Sequence, residues 1–524
     1  IFVSPVNLDD NISYIMKYLV LLFSLLTIGS VKAQSIDFTL NTPDTTIYMA
    51  RYFGSKLYYA DTAQMNKGKF SFDGSKHQAG LYAILLPNGK PFDFIIDGKD
   101  KVEINIKDLE NAIPSTVVSK SENNKIFFDY MNYMAKKRKE GQGIAADMKK
   151  VESEKEKEAY KARLKAINED VKNYQKDIFK NHREKFIGVM VGISLEIDLP
   201  DYPRDEEGNI TDSSYVYVYY QQHYWDNVDL KDPRIVNTPV FHNKLDRYFS
   251  KKGVIQIPDT ICFYAKRMID QTNIEDQSNK VFQYIVHHVT NKYESSHIMG
   301  MDKVFWYMAT NYYCPPNKLA YWMDDESTEK VCERARKVGQ TVIGGQSIPL
   351  ILPDSTEENW IGTYDLEADY TVLYFWDPNC GHCKKVTPKL QTLYDKKFKP
   401  RNVEIYAVGK AMGEEFEKWK KFIRDNELTY INVGLTENIY QQAKTDPTPL
   451  LRNKTNIESL NYSDTYDVYS TPRIFILDKN KVIMYKQISI GQLEEIIDKL
   501  TGHESDEKLF PVEDPENGPG EVDH

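Results

Sequence analysis

The chain has 524 residues, a formal net charge of −10, 41% hydrophobic and 27% charged residues. That length suits roughly three domains of about 150 residues each, and the composition is that of a globular protein. The negative balance, with no basic patch to reverse it, speaks against a nucleic acid or an anionic membrane surface as partner.

From Met16 the sequence runs through Lys17, an apolar stretch from Tyr18 to Gly29, and Val31-Lys-Ala33. A basic start, a short apolar run and a small-residue cleavage site form a signal peptide at about 16–33, with 1–15 as an upstream extension. The apolar run falls short of the about 20 residues a membrane span needs. No cysteine follows at the cleavage site, so the expectation is an exported, periplasmic protein that is not a lipoprotein. Its 5 cysteines are too few for a disulfide scaffold.

Residues 35–112 alternate apolar and polar residues between turn signals. Phe70–Phe72, Leu81–Leu86 and Phe92–Ile96 read as strands, with turns at Asn66–Gly68, Pro87–Gly89 and Asp97-Gly98. A small all-β domain, sandwich or barrel, is expected, and it carries no catalytic constellation. Residues 113–340 read as a mainly helical region starting near Ser121. Leu164, Ile167, Val171, Tyr174 and Ile178 share one helical face. Glu152–Lys155, Glu154–Lys157 and Glu158–Lys161 lie at i,i+3 on the wet side, and a helical hairpin is the expected packing. Residues 200–214 read as a surface loop, and Tyr215–Tyr220 suits a strand or a helix. His287 and His288 are adjacent, about 100° apart on a helix, so they cannot chelate one ion together; with His297 they read as ordinary polar histidines. Cys262, Cys314 and Cys332 read as buried free cysteines, with a Cys314–Cys332 bridge as the alternative.

The last domain, 343–502, opens at Ile343-Gly-Gly345. Strands are expected at Thr371–Trp376, Val403–Val408, Leu428–Val433, Arg473–Leu477 and Val482–Tyr485. Helices are expected after Cys383, at Glu414–Arg424 and at Gln492–Leu500, which together give an α/β layer. Residues 503–524, acidic and rich in Pro and Gly, read as a disordered tail. Between the first strand and its helix stands Asp377-Pro-Asn-Cys380-Gly-His-Cys383. A Cys-x-x-Cys in that setting reads as a redox pair, because the helix N-terminus stabilises a thiolate that a free cysteine, of pKa about 8.5, forms only sparsely at neutral pH. A Pro-x-x-x-Thr-x-x-Cys peroxidase loop is absent, since Pro378 stands two residues before Cys380. No second Cys or His pair accompanies the motif as a zinc site would require.

These residues, with Pro388 in the helix and Tyr466-Asp-Val-Tyr-Ser-Thr471-Pro472-Arg-Ile-Phe-Ile-Leu-Asp478 downstream, resemble the thioredoxin superfamily, and within it the exported TlpA/ResA-like thiol–disulfide oxidoreductases. The whole chain is similar to multidomain exported thioredoxin-like proteins of the Bacteroidetes. The resemblance implies that Cys380 attacks, that Cys383 resolves the mixed disulfide, and that a cis Thr471–Pro472 bond faces the pair. It implies no cofactor beyond the redox-active Cys380–Cys383 disulfide, exported cysteine-containing proteins as partners, and a membrane thiol donor. Trp376, His382, Thr471 and Pro472 become substrate-binding candidates, with Trp376 covering the site and His382 favouring the thiolate. Thioredoxin carries a buried aspartate where this chain has Tyr374, so Glu404 and Asp377 are the candidates for proton acceptor. The segment between Val433 and Tyr466 either shapes substrate access or is a surface insertion. Two further readings stay open: a disulfide oxidase or isomerase, and a docking protein of the cell envelope whose redox domain is accessory.

Overall fold

A computed structural model describes residues 34–98, 101–296, 298–468 and 470–511. The signal-peptide reading and His297 therefore lie outside the described residues. The chain forms two compact units, one reaching Gly253 and including Gln271–Val281, the other made of Val254–Asp270 and the chain from Phe282 onward. The expected helical region thus contributes to both.

The first unit is all-β and then helical. Strands β1 (Ser35–Leu40), β2 (Thr46–Phe53), β3 (Lys56–Asn66), β4 (Lys69–Asp73), β5 (Gly80–Leu85), β6 (Pro91–Ile96), β7 (Val102–Ile106) and β8 (Thr116–Lys120) join in the order β6-β5-β2-β3-β4-β1-β7-β8. The pairs are antiparallel except β1 with β7, which run parallel from Ile36↔Val102 to Leu40↔Ile106. Alternation places Ile36, Phe38 and Leu40 in the core with Phe70, Phe72, Phe92 and Phe94. Gly68 and Gly89 sit at φ of +77° and +74°, the left-handed conformation that their turns require. Helix α1 (Glu122–Met148) starts on a Ser121 cap, whose Oγ accepts the Asn124 N–H at 3.2 Å. The buried Asn124 amide in turn exchanges two 2.7 Å hydrogen bonds with the backbone of Ile95, satisfying the end strand β6 as a neighbouring strand would.

Helix α2 (Glu154–Asn181) folds back on α1, with Tyr133 and Tyr174 rings 4.2 Å apart and Ile167 and Ile178 buried. The Glu154–Lys157 and Glu158–Lys161 pairs form at 2.7 and 2.6 Å, whereas Glu152 precedes the helix. Tyr215–His223 is helical, and its rings explain why: Tyr219 stacks on His223 and Tyr220 meets Tyr224, both at i,i+4.

In the second unit, helix α3 (Asp325–Gly339) is joined to the end of the preceding helical segment by a Cys314–Cys332 disulfide, with Cα atoms 5.6 Å apart. This corrects the expectation of three free cysteines, because the chain turns back after Tyr313 and lays α3 beside it. Cys262 is free and buried, its thiol pushed up to about 12 by desolvation.

Strands β9 (Ile351–Pro353) and β10 (Trp360–Gly362) form a hairpin. Strands β11 (Tyr370–Trp376), β12 (Val403–Ala411), β13 (Ile431–Thr436), β14 (Arg473–Asp478) and β15 (Ile483–Lys486) form a sheet of order β13-β12-β11-β14-β15. β11, β12 and β13 are parallel, and β14 and β15 run against them. The third strand starts later than expected because Leu428 and Tyr430 are buried ahead of the ladder, which begins at Tyr406↔Ile431. Alternation along β11 splits the core: Val372, Tyr374 and Trp376 face α4 (Gly381–Leu393), whereas Leu373 and Phe375 face the hairpin and the segment after β13. That segment holds α5 (Glu437–Thr445), α6 (Thr448–Asn453), α7 (Ile457–Leu460) and α8 (Tyr462–Thr465).

Helix α9 (Ile490–Leu500) carries Glu494 and Asp498, both fully buried. Glu494 accepts the backbone N–H groups of Leu509 and Phe510 at 2.8 Å each. Asp498 is met by Arg401, Lys508 and Lys397 at 2.6, 2.6 and 3.0 Å. Lys508, Leu509 and Phe510 therefore tie the chain after α9 to that helix, which a disordered tail from 503 would not do, although 504–508 stay exposed; 512–524 lie outside the described residues. Lys486, 2% exposed in its side chain, donates to the Thr341 carbonyl at 2.7 Å and pairs with Asp302. Helix α3 reaches the loop before β14 through Arg334–Asp467 and Lys337–Asp464. No helix among the described residues is long and apolar enough to cross a membrane.

Candidate active site

β11 delivers the chain to a tight turn in which the Asp377 carboxylate accepts the Asn379 N–H at 2.7 Å. Cys380 then caps α4, its Sγ accepting the Cys383 N–H at 3.4 Å. Both thiols are free; Cys380 is partly exposed and Cys383 fully buried. Their environments separate them. Desolvation works against ionising Cys380, yet the Cys383 N–H, the Cys383 thiol, the Thr471 side chain and the His382 N–H together hold its thiol below the ordinary value. Burial pushes Cys383 up to about 12, against hydrogen bonds from the Asp377 N–H at 3.5 Å and from Thr471.

Thr471 lies 91 residues away in sequence, yet Cys380 Sγ donates to its carbonyl oxygen at 3.3 Å. The sheet brings them together: β14 runs antiparallel to β11 with Arg473 opposite Phe375, so the residues before Arg473 meet the turn after Trp376. The Thr471–Pro472 bond is cis.

The remaining candidates are distributed as follows. His382 is exposed in the first turn of α4. Trp376 does not cover the thiols from outside: it is 1% exposed and packs on Phe422, because the alternation of β11 turns it into the core beside Tyr374. Tyr374 is buried, shares a 2.8 Å hydrogen bond with Thr387, and has its hydroxyl pushed far up by desolvation, so it stays neutral. Glu404 pairs in register with Thr371, at the far end of β11 from the thiols, and accepts from Tyr394 at 3.1 Å. Asp377 stays beside the pair, with Lys410 at 3.4 Å. Sequence reading missed Thr387 and Lys410. Thr387 had a signal, being four residues after Cys383 on the same helical face. Among the described residues no group of three or more His, Cys, Asp or Glu could hold a metal ion.

Beside the thiols, on the sheet face opposite α4, lies a cavity of about 410 Å³. Phe375, Val408 and Leu435 form its floor, Tyr440, Leu460 and Tyr462 its wall, and Asp377 and Thr471 its lip.

Residues 368–483 match a family described as thioredoxin-like. Residues 29–127 and 191–340 each match a domain of unknown function (DUF4369 and DUF5106). No curated protein matches the chain. Among solved structures, a thioredoxin-like protein from Bacteroides caccae is 18% identical, covering 57% of this chain and 97% of its own, with a TM-score of 0.39. A domain of a possible thiol-disulfide isomerase from Cytophaga hutchinsonii is 32% identical, covering 31% of this chain and 94% of its own, with a TM-score of 0.24. A thiol:disulfide interchange protein from Bacteroides sp. is 21% identical, covering 31% and 92%, with a TM-score of 0.25. Through its C-terminal α/β domain, the chain belongs to the thioredoxin superfamily.

Proposed function

We propose that this chain is an exported thiol–disulfide oxidoreductase that reduces disulfides in other exported proteins. The observation that carries the reading is the unequal thiol pair: Cys380 partly exposed and favoured as thiolate, Cys383 buried and held as thiol. The Cys380 thiolate attacks one sulfur of a substrate disulfide, forming a mixed disulfide and releasing the other sulfur as thiolate. Cys383 then attacks Cys380 Sγ as its proton passes to the substrate thiolate released in the first step, breaking the mixed disulfide, releasing the second substrate sulfur as thiolate and leaving a Cys380–Cys383 disulfide. The Asp377 N–H and the Thr471 side chain stabilise the Cys383 thiolate as it forms. An extended substrate strand can lie along Thr471 in the manner of β-augmentation.

The motif itself serves as the redox group, and a membrane thiol donor would re-reduce it. The apolar run after Met16 supports export. Cys380→Ser is expected to abolish exchange with a protein disulfide, and Cys383→Ser to accumulate mixed disulfides with envelope proteins. Full activity in the Cys380→Ser protein would refute the reading. The pair's reduction potential decides direction: a value near the roughly −270 mV of thioredoxin supports a reductase, whereas one near the roughly −180 mV of disulfide isomerase supports an isomerase.

A further inference from the structure

We infer that the cavity beside Thr471 is a specificity pocket for a large apolar or aromatic side chain next to the substrate cysteine. This rests on the thiol–disulfide reading and adds a substrate class to it.

The cavity's position makes it part of the encounter but not of the thiol chemistry. Its lip is Thr471, whose carbonyl oxygen lies 3.3 Å from Cys380 Sγ, and Asp377, three residues before Cys380. Its floor is the C-terminal end of three adjacent parallel strands, on the sheet face away from Cys383. A strand laid along Thr471 advances about 3.3 Å per residue and alternates its side chains. A side chain one or two positions from the cysteine therefore reaches the opening.

The lining selects the occupant. Phe375, Val408 and Leu435 are apolar, and Tyr462 stacks on Phe375 with ring centroids 5.9 Å apart and planes 9° apart. The charges at the rim already have partners: Lys410 lies 3.4 Å from Asp377, and Asp464 lies 3.1 Å from Lys337. An apolar guest leaves those pairs in place, whereas a charged one must compete with them. A volume of about 410 Å³ is at the small end of the roughly 300–1,000 Å³ of ligand pockets, which suits a single bulky side chain. The wall is also built in advance. The Ser463 carbonyl and hydroxyl both bond Val468, and the helices after β13 supply Tyr440, Leu460 and Tyr462. That segment shapes substrate access.

The test uses the reduced full chain and short peptides whose single cysteine is joined to a chromogenic aryl thiol. Each peptide places Trp, Ala or Asp one or two residues to either side of the cysteine. At one flanking position or more, Trp is expected to raise the exchange rate over Ala about tenfold or more, with Asp no faster than Ala. Ser463→Trp, which fills the mouth, and Tyr440→Ala, which removes a wall, are each expected to bring the Trp/Ala ratio toward one. Each variant's rate with the free aryl disulfide serves as the internal reference. Equal Trp and Ala rates at every position, or a ratio unchanged in both variants, would overturn the pocket while leaving thiol exchange standing. No reaction of Cys380 with any peptide would overturn both readings.

Discussion

The hydroxyls of Tyr374 and Thr387 lie 2.8 Å apart in the buried layer that also holds Cys383. A neutral pair therefore stands where thioredoxin keeps a carboxylate. Tyr374→Phe leaves the Thr387 hydroxyl buried without its partner, which should cost about 1–3 kcal/mol in urea unfolding. Because the Tyr374 hydroxyl is held far above its ordinary value, it should not titrate in the working range. The pH profile of exchange should keep its shape in the Phe variant, and loss of one limb would assign Tyr374 to proton transfer.

The two thiols should be told apart by alkylation. Cys380, held below the ordinary thiol value, should react with iodoacetamide at a rate that rises with pH and levels off below the usual thiol range. Cys383, at about 12, should stay unlabelled in the folded protein. Thr471→Val removes a hydroxyl donor and should move the plateau upward. The sign for stability follows. A folded-state value below the unfolded one adds stability above the unfolded value of about 8.5, and that stability is lost as pH falls through the folded value.

Asp498 offers a different acid test. Its burial acts to raise its pKa, but Lys508, Arg401 and Lys397 outweigh this and hold the carboxyl below its ordinary value. The associated stability is present above the unfolded value of about 3.9 and is lost as pH falls through the folded one. Asp498→Asn should cost about 1–3 kcal/mol at neutral pH, since Lys397 keeps Glu494 at 2.5 Å and Arg401 keeps Asp506 at 2.7 Å while each loses a charged partner. Urea titrations at neutral and acid pH measure both effects.

The disulfide closes a sequence separation of 18 residues. Replacing Cys314 and Cys332 by serine should lower stability by about 3 kcal/mol on loop-closure grounds. Thiol counting on the unfolded Cys380→Ser/Cys383→Ser chain before and after reduction should show two additional thiols.

The placement of Cys380 and Cys383 was legible because they sit between a continuous apolar strand and a helix, and because Thr471-Pro472 carried a second signal. The five strands of that sheet followed from their apolar runs, within a few residues at the ends. The β9–β10 hairpin and the short helices between Glu437 and Thr465 left no periodic trace, being three to nine residues long. Trp376 was misread because an aromatic at a strand end looks exposed until the alternation with Tyr374 is followed inward. Cys314 and Cys332 depended on how a chain turns back, which spacing does not encode. Nothing in the sequence marks Glu494 and Asp498 as buried, and only the structure shows that Lys508, Leu509 and Phe510 beyond Gly502 supply some of their donors.

Lys486 sets a limit on how this protein can be divided. Desolvation lowers its pKa, and its ammonium is compensated by Asp302 and the Thr341 carbonyl, both ahead of Ile343. A fragment cut to begin at Ile343 keeps the whole sheet and both thiols but removes both partners of that cation. Such a truncation should unfold at lower urea than a fragment begun ahead of Asp302, because the ion pair with Asp302 is lost. The contacts that hold the C-terminal domain together therefore reach back beyond Ile343, to Thr341 and Asp302.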